Sequence, residues 1–175
     1  MLKWSKIKGA EGYDIFFTDC GTSLKDKVVK KIKGNGTFTW TKTKLKAKKA
    51  YKAYVKAWVM ENGKKKYVGT SPTVHAFTAN ETKTQTNAKS VTVEKTKITV
   101  KKGKTKQIKA DVQIVKSKLT LMSKSHAAKL RYLSTNKKIA TVSKSGKIRG
   151  VSKGSCYVYV YAHNGVNKRI RVTVK

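Results

Sequence analysis

The residues with the most evident binding chemistry lie near the carboxyl end of the chain. There, two apolar stretches at 156–160 and 170–174 alternate with aromatic or basic residues. Successive side chains of a β-strand point to opposite faces, so we expect the apolar residues to face a core and the others to face solvent. The outward set, called here the Tyr–Arg face, consists of Tyr157, Tyr159, Tyr161, Arg169 and Arg171.

Two roles are open for the Tyr–Arg face. We expect Tyr159 to stack beside Arg169 or Arg171, and a cation–π contact of that kind contributes roughly 0.5–1 kcal/mol at an exposed site. Such contacts can simply support neighbouring strands. Alternatively, the rings and basic groups form a platform for sugars or bases, because stacking on aromatic rings is a common basis of their recognition.

The loop between these two strands is constrained by the same alternation. A two-residue loop at 164–165 would pair Val160 with Arg169, and so would place a core residue opposite a solvent residue. A register slip of one residue turns every side chain of a strand to the other face. We therefore predict a loop with an odd number of residues, namely a three-residue bulged turn with Gly165 at a positive φ.

The sequence shows no pattern of a catalytic or metal site. The eight acidic residues are scattered, none follows Asp111, and no calcium loop, P-loop or G-x-S-x-G motif occurs. His75, His126 and His163 are isolated and lack a cysteine at ligand spacing, so we expect them to be structural or exposed. The prediction is a protein that is not an enzyme and uses no metal or other cofactor.

Short alternating apolar segments separated by turn residues recur along the chain. In the region 139–160, for example, they are separated by Ser145-Gly146 and Lys153-Gly154. This spacing predicts consecutive antiparallel strands of a sandwich or a barrel. No apolar run approaches the length of a membrane span, so no transmembrane segment is expected.

The segment 134–155, STNKKIATVSKSGKIRGVSKGS, resembles the signature of the bacterial immunoglobulin-like group 2 domain, a module of bacterial surface and secreted proteins. The resemblance implies an immunoglobulin-like β-sandwich over residues 90–175. Residues 114–129 fit the family pattern poorly, and we expect an inserted loop or hairpin there. The apolar anchor of this insertion would be Leu119, Leu121 and Met122.

Residues 1–78 resemble the fibronectin type III domain as it occurs in bacteria. The similar sequence segments are W-x-x-I-x-G-A-E-G-Y-D-I at 4–15 and L-x-x-x-x-x-Y at 45–51. The resemblance implies that Trp4 and Tyr13 are core residues and that the hydroxyl group of Tyr51 binds the backbone at a corner of the sandwich. It also implies a further strand before Leu2, so we expect a sandwich that lacks its first strand within a fragment of a longer polypeptide.

The expected fold is therefore all-β, with two tandem immunoglobulin-like β-sandwiches, the first lacking its first strand. The first domain spans 1–78, a polar linker spans 79–89, and the second domain spans 90–175. Cys20 and Cys156 fall in different domains, and we expect them to be small buried side chains and not a disulfide.

The charge of the chain is strongly positive. It contains 42 Lys+Arg against 8 Asp+Glu, which gives a net charge of +34. The lysines alternate with Thr and Val, as in the segment 95–100, which predicts that they lie on the outward face of strands. Lysine there keeps a β-protein soluble and protects its edges, but it also attracts polyanions such as wall polymers, acidic polysaccharides, anionic membranes or nucleic acids.

These observations lead to a functional hypothesis. We expect a non-catalytic structural or binding module pair that acts as a spacer, serves in adhesion, or contacts anionic cell-wall polymers or glycans through its lysine-rich surface. The family resemblances imply an extracellular or cell-surface location in a bacterium, and we expect a monomer. Two alternatives remain: a non-specific polyanion or nucleic-acid binder, and an ancillary fragment of a larger carbohydrate-active or peptidase enzyme. Specific nucleic-acid binding is not expected, because the lysines are spread along most strands.

Overall fold

The computed structural model of the protein describes residues 1–34 and 36–175. The chain divides into two compact units, Met1–Thr82 and Lys83–Lys175. In the described part of the chain, regular structure is β-strand except for a short 3-10 helix at Thr78–Asn80. The predicted all-β fold is therefore confirmed. No helix of the described residues is long and apolar enough to cross a membrane.

The first unit contains two sheets. Its strands are β1 (Leu2–Lys3), β2 (Gly12–Asp19), β3 (Val28–Lys33), β4 (Thr39–Trp40), β5 (Ala50–Glu61), β6 (Lys64–Thr70) and β7 (Val74–Phe77). The smaller sheet pairs β1 with β4, and the larger has the order β3-β2-β5-β6. β7 pairs with the first part of β5, and β6 pairs with the last part.

The core of the first unit is aromatic. Tyr13 is buried, and its ring centroid lies 5.6 Å from that of Trp4, which is half-buried and packs against the same core. The backbone N–H of Lys46 donates to the Tyr51 hydroxyl oxygen at 3.2 Å. The structure thus confirms the core positions and the corner hydrogen bond that the family resemblance implied.

The hairpin between β5 and β6 follows from local sequence. Asn62 and Gly63 connect the two strands with φ values of 52° and 72°. Two consecutive positive φ angles define the type I′ turn, which matches the right-handed twist of the paired strands. An Asn-Gly pair between two strand segments is the strongest short-range hairpin signal in a sequence, and here it forms the turn between β5 and β6.

The second unit also contains stacked sheets. Its strands are β8 (Gln85–Thr86), β9 (Ala88–Val93), β10 (Lys97–Val100), β11 (Thr105–Gln107), β12 (Ala110–Ile114), β13 (Thr120–Leu121), β14 (Arg131–Ser134), β15 (Ala140–Val142), β16 (Lys147–Gly150), β17 (Gly154–Tyr161) and β18 (Asn167–Val174). The largest sheet has the order β10-β18-β17-β14, with β10 parallel to β18. The other layer contains β11-β16-β15 and the β9–β12 pair.

The alternation of apolar and polar residues decides which side chains enter the core of the second unit. In β10, Ile98 and Val100 are buried, whereas Lys97 and Thr99 are exposed. The same alternation holds in β16, where Ile148 is fully buried between exposed residues. The lysines of these strands therefore face solvent, as predicted.

Two irregular stretches differ from their sequence-based descriptions. The structure places β8 and the start of β9 within the stretch 79–89, described above as a polar linker, and buries Thr86 and Asn87 there. Within 114–129, β13 pairs in parallel with β8 and does not form a hairpin. Met122 is buried beside this pair, so the insertion is held by backbone pairing as well as by its apolar anchor.

The close approach of Trp58 to the backbone of β2 generates a stability prediction. A Cβ atom at Gly12 would collide with the indole ring of Trp58 and with the carbonyl oxygen of Ile32. We expect Gly12→Ala to lower the free energy of unfolding by about 1–3 kcal/mol, because over-packing forces neighbouring atoms to shift. Urea denaturation followed by tryptophan fluorescence measures this, since all three tryptophans lie in the first unit.

The matched control is Gly36→Ala, where an added Cβ has no heavy atom within 4 Å. We expect this variant to unfold at the wild-type urea concentration. Equal midpoints for the two variants would show that the packing of Trp58 on Gly12 does not constrain the fold.

Candidate ligand-binding surface

The hairpin of β17 and β18 positions the Tyr–Arg face. Val158 pairs with Ile170, and both are fully buried. The strands end in a hydrogen bond from the N–H of Ala162 to the carbonyl oxygen of Val166 at 2.9 Å, which leaves a three-residue loop. Gly165 in this loop has a φ of 87°. The predicted odd-length loop and the positive φ are both confirmed.

The structure places all five residues of the Tyr–Arg face on the side of the sheet that points away from the core. Tyr157 lies opposite Arg171, and Tyr159 lies opposite Arg169. Tyr157 is 37% exposed and both arginines are exposed, whereas Tyr159 and Tyr161 are half-buried. The face therefore presents one accessible ring between two guanidinium groups.

The stacking partner differs from the one predicted. Tyr159 does lie directly opposite Arg169, but the Arg169 guanidinium lies over the ring of Tyr157, 4.2 Å from its centroid. The contact is diagonal because residues two positions apart on neighbouring strands are within reach of a long side chain. The cation–π contact therefore forms on the most exposed tyrosine of the face.

Sequence reasoning missed Arg131, which joins the Tyr–Arg face from β14. Arg131 pairs with Tyr161 across the strands, and its guanidinium lies 4.8 Å from the centroid of that ring. The same group donates to the carbonyl oxygen of His163 at 3.1 Å. Burial lowers the pKa of Arg131 and raises the pKa of Tyr161. Strand alternation could have placed Arg131 on one face, but not its register against β17.

A second cluster of rings and cations, also missed, lies on the first unit, on the face of the larger sheet opposite the core. Lys56 is surrounded by three rings, with its Nζ 5.1 Å from the centroid of Phe16, 5.9 Å from Tyr54 and 4.6 Å from Tyr67. The alternation of Tyr54, Lys56 and Trp58 along β5 is the sequence signal that would have indicated it. Lysine stems here cover an aromatic face that would otherwise contact water.

A buried carboxylate lies within this second cluster. Asp14 is 1% exposed, and the Lys65 Nζ contacts its two oxygens at 2.9 and 3.0 Å. The hydroxyl group of Tyr67 donates to the same carboxylate at 2.7 Å. Desolvation, with the hydrogen bond to Asp14 and its charge, raises the pKa of Tyr67 to about 12. The carboxylate thus holds β6 against β2 across the intervening strand β5.

Most carboxylates of the chain are already neutralised by lysine. Six of them, among the described residues, lie within 4 Å of a lysine Nζ, and most of these pairs are on the surface. Such surface pairs add little to stability, but they remove the negative charges from the field of the protein. The pairs are Asp14–Lys65, Asp19–Lys49, Glu61–Lys66, Glu81–Lys48, Glu94–Lys109 and Asp111–Lys129.

The cysteines and histidines do not form a reactive centre in the described residues. Cys20 and Cys156 are both free, and Cys20 Sγ lies 3.4 Å from Nδ1 of His75. Burial raises the pKa of the Cys20 thiol, which keeps it in the unreactive protonated form. Within 1–34 and 36–175, no group of three His, Cys, Asp or Glu side chains could hold a metal ion.

The carboxylate of Asp14 gives a testable prediction for the ionisation of Tyr67. Because Asp14 disfavours the phenolate, Asp14→Asn should lower the pKa of Tyr67 from about 12 towards 10.0, its ordinary value. In the wild type, the neutral hydroxyl group of Tyr67 contributes to the stability of the fold. This contribution is complete below pH 10.0 and is lost as the pH rises through about 12, the pKa of Tyr67 in the folded protein. NMR of carbon-13-labelled tyrosine as a function of pH measures both values.

The control for this titration is Glu61→Gln, which removes another lysine-paired carboxylate from the same sheet. The pKa of Tyr67 should stay near its wild-type value in that variant. If both variants moved the pKa equally, the effect would come from net charge and not from the hydrogen-bonded carboxylate.

Comparison with solved structures finds several proteins that are similar to this chain. Domains 4 and 5 of the S-layer protein SbsC are 19% identical, with a TM-score of 0.40, over 70% of this chain and 64% of that one. Domains 4–9 of SbsC are 19% identical, with a TM-score of 0.42, over 98% and 23%. The fibronectin(III)-like modules of Clostridium thermocellum CbhA are 12% identical, with a TM-score of 0.30, over 100% and 82%. The chain thus spans less than two thirds of the length of either SbsC structure.

Comparison of the sequence with protein families gives a direct assignment. No curated protein matches the chain. The model of the bacterial Ig-like domain (group 2) matches residues 87–174, which include the hairpin of β17 and β18 and the Tyr–Arg face. The chain belongs to the family of bacterial Ig-like domains of group 2.

Proposed function

We propose that the protein is a non-catalytic structural and binding module of a bacterial surface or secreted protein, and that its lysine-rich surface contacts anionic cell-wall polymers or glycans. The observation that carries this proposal is the pairing of six carboxylates with lysine in a chain of 42 Lys+Arg and 8 Asp+Glu, so that cations far outnumber the carboxylates that could neutralise them. A polyanion would supply those partners and release its own counterions.

The proposed domain organisation follows the family resemblances. In this proposal, 1–78 is a fibronectin type III-like domain, 79–89 connects the domains, and 90–175 is the group 2 domain. The hydrogen bond from the N–H of Lys46 to Tyr51 supports the first assignment, since a tyrosine corner is common in immunoglobulin-like sandwiches. The family match at 87–174 supports the second.

A rigid sandwich suits contact with a polymer better than catalysis. The carboxylates of Asp14 and Asp19 are bound by lysine, and burial raises the pKa of the Cys20 thiol, which keeps it protonated. The outward residues are instead fixed in rows by the strands, at a spacing of about 7 Å between residues on the same side of a strand. Repeated cations at this spacing can follow the repeated charges of an extended polymer. We propose that the protein does this as a monomer outside the cell.

Salt dependence tests this proposal. Binding of the full chain to purified anionic wall polymer should weaken at least about tenfold between about 0.05 M and about 0.5 M NaCl, because lysine contacts to a polyanion are screened. Isothermal titration calorimetry measures the dissociation constant at each salt concentration. A neutral glycan of equal length is the control and should bind weakly at both.

Two results would overturn the proposal. One is salt-insensitive binding to the neutral glycan, which would show that the protein recognises the sugar itself and not the negative charge of the polymer. The other is tighter binding to a nucleic acid than to the wall polymer, at matched charge and salt, which would favour a polyanion binder of another class.

A further inference from the structure

A surface pocket opens beside the Tyr–Arg face, at the point where the segment after β14 meets β17 and β18. Three separate parts of the chain contribute to it, and the outward alternation of β17 and β18 brings their polar groups together. Its lining residues are Thr135, Asn136, Ser155, Cys156, Tyr157 and Arg171.

The polar groups of this pocket are mainly hydrogen-bond donors. The hydroxyl oxygen of Thr135 accepts the N–H of Tyr157 at 3.0 Å, so its hydrogen is available to donate. The side-chain oxygen of Asn136 accepts the N–H of Lys138 at 3.0 Å, which leaves its amide nitrogen as a donor. Arg171 adds the planar set of five N–H groups of a guanidinium. The pocket therefore suits a ligand with several acceptor oxygens.

The charge of the pocket is not balanced within its own unit. Residues 83–175 contain two acidic side chains, and Lys109 lies 3.2 Å from Glu94 while Lys129 lies 2.6 Å from Asp111. Both acidic side chains of the unit are therefore paired with a lysine. The exposed guanidinium of Arg171 can therefore accept an anionic ligand without giving up an ion pair with either of these side chains.

The shape of the donor set narrows the class of anion. The donors come from three separate segments of the chain, and several donors around one pocket suit the tetrahedral oxygens of a phosphate better than the flat edge of a carboxylate. The ring of Tyr157 forms the adjacent wall, and the Arg169 guanidinium lies 4.2 Å from its centroid. An aromatic wall next to an anion site offers a packing surface for the carbon skeleton that carries the anion.

We propose that this pocket binds a phosphate group esterified to a sugar or a polyol, with Arg171 and Asn136 donating to the phosphate oxygens and Tyr157 packing against the skeleton. The inference rests on the proposed function, because an anionic wall polymer of the kind proposed there would present phosphate groups esterified to sugars or polyols. It goes further by assigning the specific contact to one pocket, whereas the lysines attract the polymer without selecting its chemistry.

The cluster around Lys56 in the first unit does not offer an equivalent site. Its cations already face aromatic rings, and Lys65 is bound to the buried carboxylate of Asp14. A ligand there would have to displace these contacts. In the pocket beside Tyr157, by contrast, the Arg169 guanidinium covers one face of the ring, and the polar donors of Asn136 and Arg171 belong to other residues.

The direct test is a titration of the nitrogen-15-labelled full chain, followed by NMR. The probes are glycerol 1-phosphate, glucose 1-phosphate, inorganic phosphate, sulfate and glycerol. We expect both phosphate esters to shift the side-chain amide of Asn136 and the backbone amides around Tyr157. Inorganic phosphate should bind more weakly because it lacks a skeleton to pack on the ring, and glycerol should produce no shift. Sulfate binding equal to that of the esters would contradict the assignment to a phosphate ester.

Two variants and a matched control make the test specific. Arg171→Gln should weaken binding of the esters at least about tenfold, because a charge-assisted hydrogen-bonded pair is lost. Asn136→Asp keeps the oxygen that accepts the N–H of Lys138 and puts a negative charge in the pocket, so it should weaken binding at least as much. Arg149→Gln removes an exposed arginine from β16 in the other layer, and binding should change less than about twofold.

The outcomes separate this proposal from the proposed function. Equal losses for Arg171→Gln and Arg149→Gln, or shifts spread over all lysine-bearing strands, would overturn the pocket and leave polymer binding intact. Specific ester binding at the pocket, without any affinity of the wild type for the wall polymer, would uphold the pocket and overturn the proposed function.

Discussion

The structure depends on one constraint, which is that the inward side chains in the middle of β17 pair with inward side chains of β18, although near the loop the buried Val160 lies opposite the exposed Lys168. Val158 opposite Ile170 and Cys156 opposite Val172 satisfy it. Burying each such aliphatic side chain contributes roughly 1.5–3 kcal/mol to stability. A register slip of one residue would turn several of them to solvent, and the stability lost would be far larger than that gained from any single surface contact. The core therefore fixes the register, and the register fixes which side chains make up the Tyr–Arg face.

The outer surface follows from the same alternation. Strands that are apolar on one side and basic on the other form a sandwich whose exterior is rich in lysine. Some of the long basic side chains cover aromatic rings, as Lys56 does over Tyr67 and Arg169 over Tyr157. Those not used in this way, and not paired with a carboxylate, project a positive field into solvent.

The sequence allowed prediction of features that depend on near neighbours along the chain. The Asn62-Gly63 turn, the odd-length loop and the inward residues of the last hairpin all follow from period-two alternation and turn chemistry. The corner hydrogen bond of Tyr51 came from family resemblance. The missed features join residues far apart in sequence: Asp14 and Lys65 are separated by 51 positions, and Arg131 and His163 by 32. Such contacts need the register between distant strands, which alternation alone leaves open. The diagonal contact of Arg169 was missed because pairing identifies the opposite residue and not where a flexible side chain extends.

The central claim is that the outward faces of the strands, set by the core, make the contact with the polymer. Cross-saturation NMR from an unlabelled anionic wall polymer to the deuterated, nitrogen-15-labelled chain tests it most directly. The account predicts transfer in an alternating pattern along β17 and β18, strong at Tyr157 and Arg171 and weak at Val158 and Val172. Transfer confined to the loops at the ends of the sandwiches, or uniform along both strands, would contradict it.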